Sequence, residues 1–289
     1  MKLGSRIKIL SELVKFRITS FVTVTTAFGY IAASGRIDFQ MIPMLLGVLF
    51  LAFGSASLNH YQEKEFDIKM DRTKNRPIPS GRINPSIVLG IAIILVFAGS
   101  VILVFGANLL ALGLGVLNLI WYNFVYTLLK SKTAFAIIPG SLVGAIPPMI
   151  GWVSANGYVF DPQIILISFF FFIWQIPHFW LLLLVLDKDY RQAGFPTLTQ
   201  LFRKEQLSRI TFIWIIATAV TGMMIPLFGI VTDLWINIAL FLSGALLTWK
   251  AFGLLVETNG MSVFGYNFRY INYFALFVVF SVSIDKLIF

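Results

Sequence analysis

The sequence predicts an all-α integral membrane protein: nine transmembrane helices in one bundle, N-terminus cytoplasmic and C-terminus outside. Three observations predict the membrane fold. Of the 289 residues, 58% are hydrophobic and 12% are charged, against roughly 25% charged in a soluble domain. Apolar stretches of about 20 residues, the length that crosses a bilayer as a helix, occur nine times. Basic residues collect in alternate connections between them. These observations exclude a soluble globular domain and a disordered chain. With no cysteine, there is no disulfide framework, thiolate nucleophile or cysteine-ligated metal. The net charge of +9 fits the positive-inside rule better than a nucleic-acid partner.

The chain opens on Lys2, Arg6, Lys8, Lys15 and Arg17, with Ile7, Leu10, Leu13 and Val14 at helical spacing among them. Residues 1–17 therefore read as a cytoplasmic lead-in, amphipathic on an anionic membrane surface or simply leading into the first span. No short apolar run with a small-residue cleavage site marks a removable signal peptide. The spans follow near 18–34, 41–58, 86–105, 108–128, 135–153, 163–186, 210–230, 233–256 and 268–288. The third and fourth are divided only by the FGAN segment at 105–108. Such spacing leaves no room for a soluble domain, so residues 1–289 form a single transmembrane domain. Counted this way, 20 of the 22 bases fall on one side, and only Arg36 and Lys286 on the other. A miscounted span would scramble that partition.

The acids are concentrated in two connections on the basic side, 59–85 and 187–209. The first reads NHYQEKEFDIKMDRT over 59–73. Asn59, Glu63 and Asp67 step by four, each step turning a helix by about 40°, so their oxygens share one face. A stripe of like charges invites a cation, and hard oxygen donors favour magnesium, which completes its octahedron with water and phosphate. Asp71 follows, then the bases Arg72, Lys74 and Arg76. Acids for a metal beside bases for phosphate suit a diphosphate, although a solvated loop has the same composition. The second cluster is Asp187, Lys188, Asp189, Tyr190 and Arg191. The pair suggests two half-sites facing each other across the bundle. Tyr126 and Lys130 share a helical face, as interfacial anchors or site residues. Gln175 and His178 lie inside the sixth span around Pro177, and polar residues there are costly and often functional. His178 serves either a helix–helix hydrogen bond or a ligand.

On these residues the chain resembles the intramembrane prenyltransferases of the UbiA superfamily, and most closely its heme-directed farnesyltransferase branch. The superfamily pattern is matched by the acidic segments at 59–71 and 187–189. The narrower match rests on KFRIT (15–19), MDRTKNRP (70–77), YTLLK (126–130), GAIPPMIGW (144–152), WQIPHF (174–179) and DYRQAGFP (189–196). It runs in order over roughly residues 15–210, and beyond that only hydropathy agrees. The resemblance implies a UbiA-like bundle, farnesyl diphosphate as donor, heme B as acceptor and Mg2+ as cofactor. It implies Asn59, Glu63, Asp67, Tyr126, Lys130, Asp187 and Asp189 as catalytic residues. The metal would be held by Asn59, Glu63, Asp67, Asp71, Asp187 and Asp189. Substrate contacts would come from Arg17, Arg72, Lys74, Arg76, Gln175, His178, Tyr190 and Arg191. A heme A synthase or oxidase subunit would receive the insoluble product in the cell membrane. Glu63 and Glu65 stand where the family usually has Asp, His60 where a second Asn is common, and TLT (197–199) where MLP often follows. Two alternatives share parts of this pattern: a prenyltransferase acting on an aromatic quinone precursor, and a membrane cation transporter. Transporters place ionisable residues near mid-membrane, whereas these acids sit at one rim.

Overall fold

A computed structural model describes residues 3–256 and 261–289, and Lys2 of the basic lead-in lies outside them. Every regular element among the described residues is helical. Helix α1 is Leu3–Leu13 and α2 is Phe16–Ser34. Then come α3 (Met41–Gln62), α4 (Pro85–Gly106), α5 (Leu109–Lys130), α6 (Ala134–Ser154), α7 (Pro162–Val185), α8 (Lys204–Phe228), α9 (Leu234–Val256) and α10 (Val263–Ile288). Among the described residues, the eight helices α3 to α10 are long and apolar enough to cross a membrane. Helix α2 covers the first expected span, but Arg17 and four threonines make its 19 residues less apolar.

The boundaries follow local chemistry. Lys15 takes a left-handed conformation (φ 49°) and separates α1 from α2, while Gly35 (φ 65°) closes α2 with its N–H on the Ile31 carbonyl. Pro85 opens α4 behind Asn84, whose side chain accepts from the Ser86 N–H. The weak break at 105–108 is real because Asn108 accepts from the Ala111 N–H at 2.8 Å and caps α5. At the opposite rim from the acids, the buried Asp285 carboxylate of α10 accepts from the Thr232 and Asp233 N–H groups at 3.0 and 2.8 Å. That contact ties the last helix to the start of α9.

Two apolar cores form. One gathers α7, α8, α9 and α10, and the other gathers α2, α3, α4, α5 and α6. Helix α2 is an interior element despite its threonines. A Cβ at Gly29 would run into the Pro148 carbonyl, and one at Gly151 into the Thr26 carbonyl. The α2 and α6 backbones therefore touch, the arrangement that small residues permit between membrane helices. The threonine hydroxyls are satisfied inside the helix: Thr23 and Thr26 donate to the Thr19 and Val22 carbonyls. Helix α1 splits its apolar residues. Ile9 and Leu13 pack on Ile78 and Val88, while Ile7 and Leu10 face outward.

A small third contact positions the site. Met70 from the connection after α3 and Ala193 and Phe195 from the connection after α7 are buried together, with Phe66 and Tyr190 against them. The Phe66 and Phe195 rings lie 4.6 Å apart. Two loops more than a hundred residues apart in sequence are thereby joined.

Candidate active site

The site begins where α3 runs out. Its last two turns present Ser55, Asn59, Gln62 and Glu63 along one side. Opposite them, α5 leaves regular α-geometry for a six-residue π-helical stretch, Trp121–Tyr126, before its last turn, Thr127–Lys130. Such widened turns often mark functional positions. The buried Asn123 locks the two helices together. It accepts from the Ser55 hydroxyl at 2.6 Å and donates to the Ser55 carbonyl and the Gln62 amide oxygen, both at 3.0 Å.

That lock aligns three functional pairs. Asn59 donates to the Thr127 hydroxyl at 3.2 Å, and its amide oxygen accepts from Lys15 Nζ at 2.5 Å. Glu63 meets Lys130 at 2.8 Å with both side chains largely buried. One Arg76 nitrogen lies 2.8 Å from each oxygen of the fully buried Asp67, while Thr73 donates to the Asp67 carbonyl. Aromatic rings surround the lysine: Lys130 Nζ is 4.9 Å from the Phe195 ring and 5.5 Å from the Tyr190 ring. The Tyr122 and Tyr126 rings stack at 5.9 Å alongside.

Burial disfavours charge on Glu63, but Lys130 and Lys15 more than offset it and hold the carboxyl at about 2. Lys15 is in the opposite situation. Burial, together with the Arg76 charge, lowers it to about 7 against the support of Glu63. The outer acids are solvated. Asp71 pairs with Lys74 at 2.7 Å, which lowers the acid and raises the base. Asp187 pairs with Arg191 at 2.8 Å and accepts a short hydrogen bond from Thr199.

The structure thus brings together Asn59, Glu63, Tyr126, Lys130 and Tyr190, with Asp67 and Arg76 beside them. It does not gather the six expected metal ligands into one cluster: among the described residues no three carboxylate or histidine side chains converge. The donor chemistry still suits magnesium, which needs only one or two carboxylates when phosphate and water complete its shell. Arg17 is exposed on α2 and makes no ion pair among the described residues. Arg72, Lys74 and Arg191 line the solvated rim. Gln175 packs its side chain against Gly144, and its oxygen is buried without a partner. His178 Nδ1 lies 2.6 Å from the amide oxygen of Asn272 on α10, between the Trp174 and Phe268 rings. An amide oxygen only accepts, so Nδ1 carries the proton and Nε2 keeps its lone pair. The helix–helix bond foreseen for this histidine is therefore present.

Sequence reasoning did not assign Lys15, Tyr122, Asn123, Thr127, Phe195 or Asn272 to the site. A signal existed for Asn123 and Asn272, since each is an amide inside an apolar span. The π-helical stretch had none.

Comparison with known proteins places this geometry. The sequence pattern of the UbiA prenyltransferase family matches residues 21–271. A protoheme IX farnesyltransferase of Oleidesulfovibrio alaskensis is 30% identical over 287 residues, 96% of either chain. Another, from Cytophaga hutchinsonii, is 33% identical, covering 86% of this chain and 89% of that one. Among solved structures, one described as digeranylgeranylglyceryl phosphate synthase superposes with a TM-score of 0.81 at 16% identity, covering 98% of this chain and 99% of that one. A UbiA homolog from Archaeoglobus fulgidus bound to GPP and Mg2+ gives 0.64 at 12% identity, covering 95% and 99%. The structural likenesses carry the fold and the sequence matches carry the kinship, so the chain belongs to the UbiA prenyltransferase family and is a membrane prenyltransferase.

Proposed function

We propose that the enzyme transfers the farnesyl group of farnesyl diphosphate to a vinyl group of heme B, giving heme O. The observation that supports this best is the Asn59, Glu63 and Lys130 cluster under an aromatic cover, in a chain matching protoheme IX farnesyltransferases over nearly its full length. The membrane setting suits two substrates that are poorly soluble in water. The loops carrying the acids face the cytoplasm of the cell membrane in this reading. Helix α2 is the ninth crossing, so the C-terminus lies outside.

Diphosphate leaves only when its charge is neutralised. Lys130 stands in the site with its ammonium already desolvated, where a charge-assisted hydrogen bond is strong. Lys74 and Arg191 at the rim supply further positive charge, and Arg76 acts through Asp67. Asn59, Glu63, Asp67, Asp71, Asp187 and Asp189 are the residues that would hold magnesium, which would supply Lewis-acid neutralisation of the diphosphate. The allylic C–O bond breaks and its electron pair leaves with the diphosphate. The Tyr126 ring stabilises the farnesyl cation through its π face. The vinyl π electrons form the new C–C bond. Water adds to the cation left beside the porphyrin and loses a proton, giving a hydroxyethylfarnesyl chain. The apolar bundle keeps water from the first cation until the bond has formed. His178 would contact the heme through Nε2, either at the iron, which neutral imidazole suits, or at a propionate. Gln175 lies one turn away on the same helix. A heme A synthase or oxidase subunit takes the product.

The experiment is a reconstituted assay with heme B, farnesyl diphosphate and magnesium, with a chelator control, read by mass spectrometry of the hemes. A chelator-sensitive hydroxyethylfarnesyl heme is expected. A folded enzyme that leaves heme B unchanged while prenylating an aromatic acid would overturn the acceptor.

A further inference from the structure

Beside the acidic site lies a second concavity that the mechanism above does not use. It is an open cleft of ≈ 630 Å³ between α1 and the connection that follows α3. Its walls include Lys8, Lys15, His60, Arg72, Arg76 and Arg82. Among the described residues the one carboxylate lining it, Glu12, is already spent on Arg82 at 2.6 Å. Arg76 is committed to Asp67 and Lys15 to Asn59. Among the described residues, Lys8 and Arg72 have no ion-pair partner. These two bases come from separate segments of the chain. His60 gives an independent sign of a ligand: it is 2% exposed, it lines the cleft, and among the described residues neither ring nitrogen has a side-chain partner. A buried imidazole with a nitrogen left unsatisfied is costly unless something arrives to bond it.

We propose that this cleft docks the two carboxylates of the porphyrin acceptor, with Lys8 and Arg72 as their counter-charges and His60 as a hydrogen-bonding partner. The inference rests on heme being the acceptor. A hard oxyanion is the required chemistry, and both substrates carry one. The cleft fits carboxylates better than diphosphate for two reasons. It holds no spare carboxylate to share a magnesium ion, and its two unneutralised charges are separate rather than focused on one compact group. Lys15 and Arg76 wall the cleft and also touch Asn59 and Asp67, so an occupant here abuts the acidic site. Holding the carboxylate edge of the ring fixes which edge is left to face the donor.

The test is equilibrium binding to purified enzyme in detergent, followed by the heme absorption band. Protoheme is compared with its dimethyl ester, in which both carboxylates are neutral. Wild type is expected to bind the free acid roughly tenfold or more tightly, the scale of hydrogen bonds between charged groups. Lys8→Gln and Arg72→Gln should each reduce that preference, and His60→Leu should weaken the free acid more than the ester. Lys8 is exposed, so its variant keeps the test open if the others fold poorly. Equal affinity for acid and ester in wild type overturns the proposal. So does a Lys8→Gln variant that loses affinity for inorganic diphosphate while its discrimination between acid and ester stays intact. Absence of binding by either heme removes the acceptor itself, a different result from binding without discrimination.

Discussion

Glu63 and Lys130 show how much one pair of side chains is asked to do. Removing one partner strands the other as a buried charge, which costs about 3–5 kcal/mol, whereas replacing both with apolar residues is often neutral. Lys130→Met should therefore lower the melting temperature in detergent as well as activity. The Lys130→Met/Glu63→Leu double variant should recover the melting temperature and stay roughly 10²–10³-fold slow. A fast double variant would show that the pair only holds α3 to α5. Lys15 gives a second prediction. Its folded pKa of about 7 lies below the ordinary lysine range. The native state thus sheds a proton that the unfolded chain keeps, and this group's contribution to stability rises with pH from about 7 up to that range. NMR of the dimethylated lysines should resolve one resonance titrating near 7, lost in Lys15→Gln. At this scale the sequence was legible where spacing decides: Asn59 and Glu63 do share a face. It was not legible where the partner is distant. Nothing near Glu63 in the sequence names Lys130, and nothing near His178 names Asn272.

Elements carry the site because helix ends are where polar groups can survive. The π-helical stretch widens α5 beside α3, and Asn123 satisfies both helices there. Asn123→Leu leaves the Gln62 and Ser55 side chains without this partner and should cost about 1–3 kcal/mol. Chemical unfolding measures that loss, and activity should fall with it as Asn59 and Thr127 drift apart. The two loops meet through Phe66 and Phe195. Phe195→Ala removes the ring over Lys130 and should raise the KM for the prenyl diphosphate more than it raises that for the acceptor. Asp67 belongs to this scale as well. It is sealed under Arg76 and its carbonyl takes the Thr73 hydroxyl, so it organises the loop whatever it also does for a metal. Helix positions were readable from hydropathy, and caps such as Asn108 from their residue type. The π turn was not, because its cause is the fit of α5 against α3.

For the whole molecule, the question is the number of crossings. Helix α2 is less apolar than the other eight, yet its backbone touches α6 in the interior. If α2 crosses, α1 before it and the 35–40 turn after it lie on opposite faces. The chain has no native cysteine, so single cysteines report topology directly. Ser11→Cys should be labelled by a membrane-impermeant maleimide only from the cytoplasmic face, and Phe39→Cys only from the other. Labelling of both from one face would remove α2 from the count.

The division between sequence and structure follows from the range of the forces involved. Hydropathy, charge asymmetry and capping residues act within about one helix length, so sequence alone determined a helical membrane bundle, the rim that carries the acids, and the spacing that puts Asn59 and Glu63 on one face. Its motifs also determined the family. Only the tertiary structure decided which base neutralises which acid, that α1 folds back to wall a basic cleft with His60 inside it, and that Phe195 closes over Lys130. Those choices depend on how separate helices pack, and in a membrane that is settled by close backbone contact and by buried polar groups finding partners across the bundle, neither of which leaves a periodic trace in the chain.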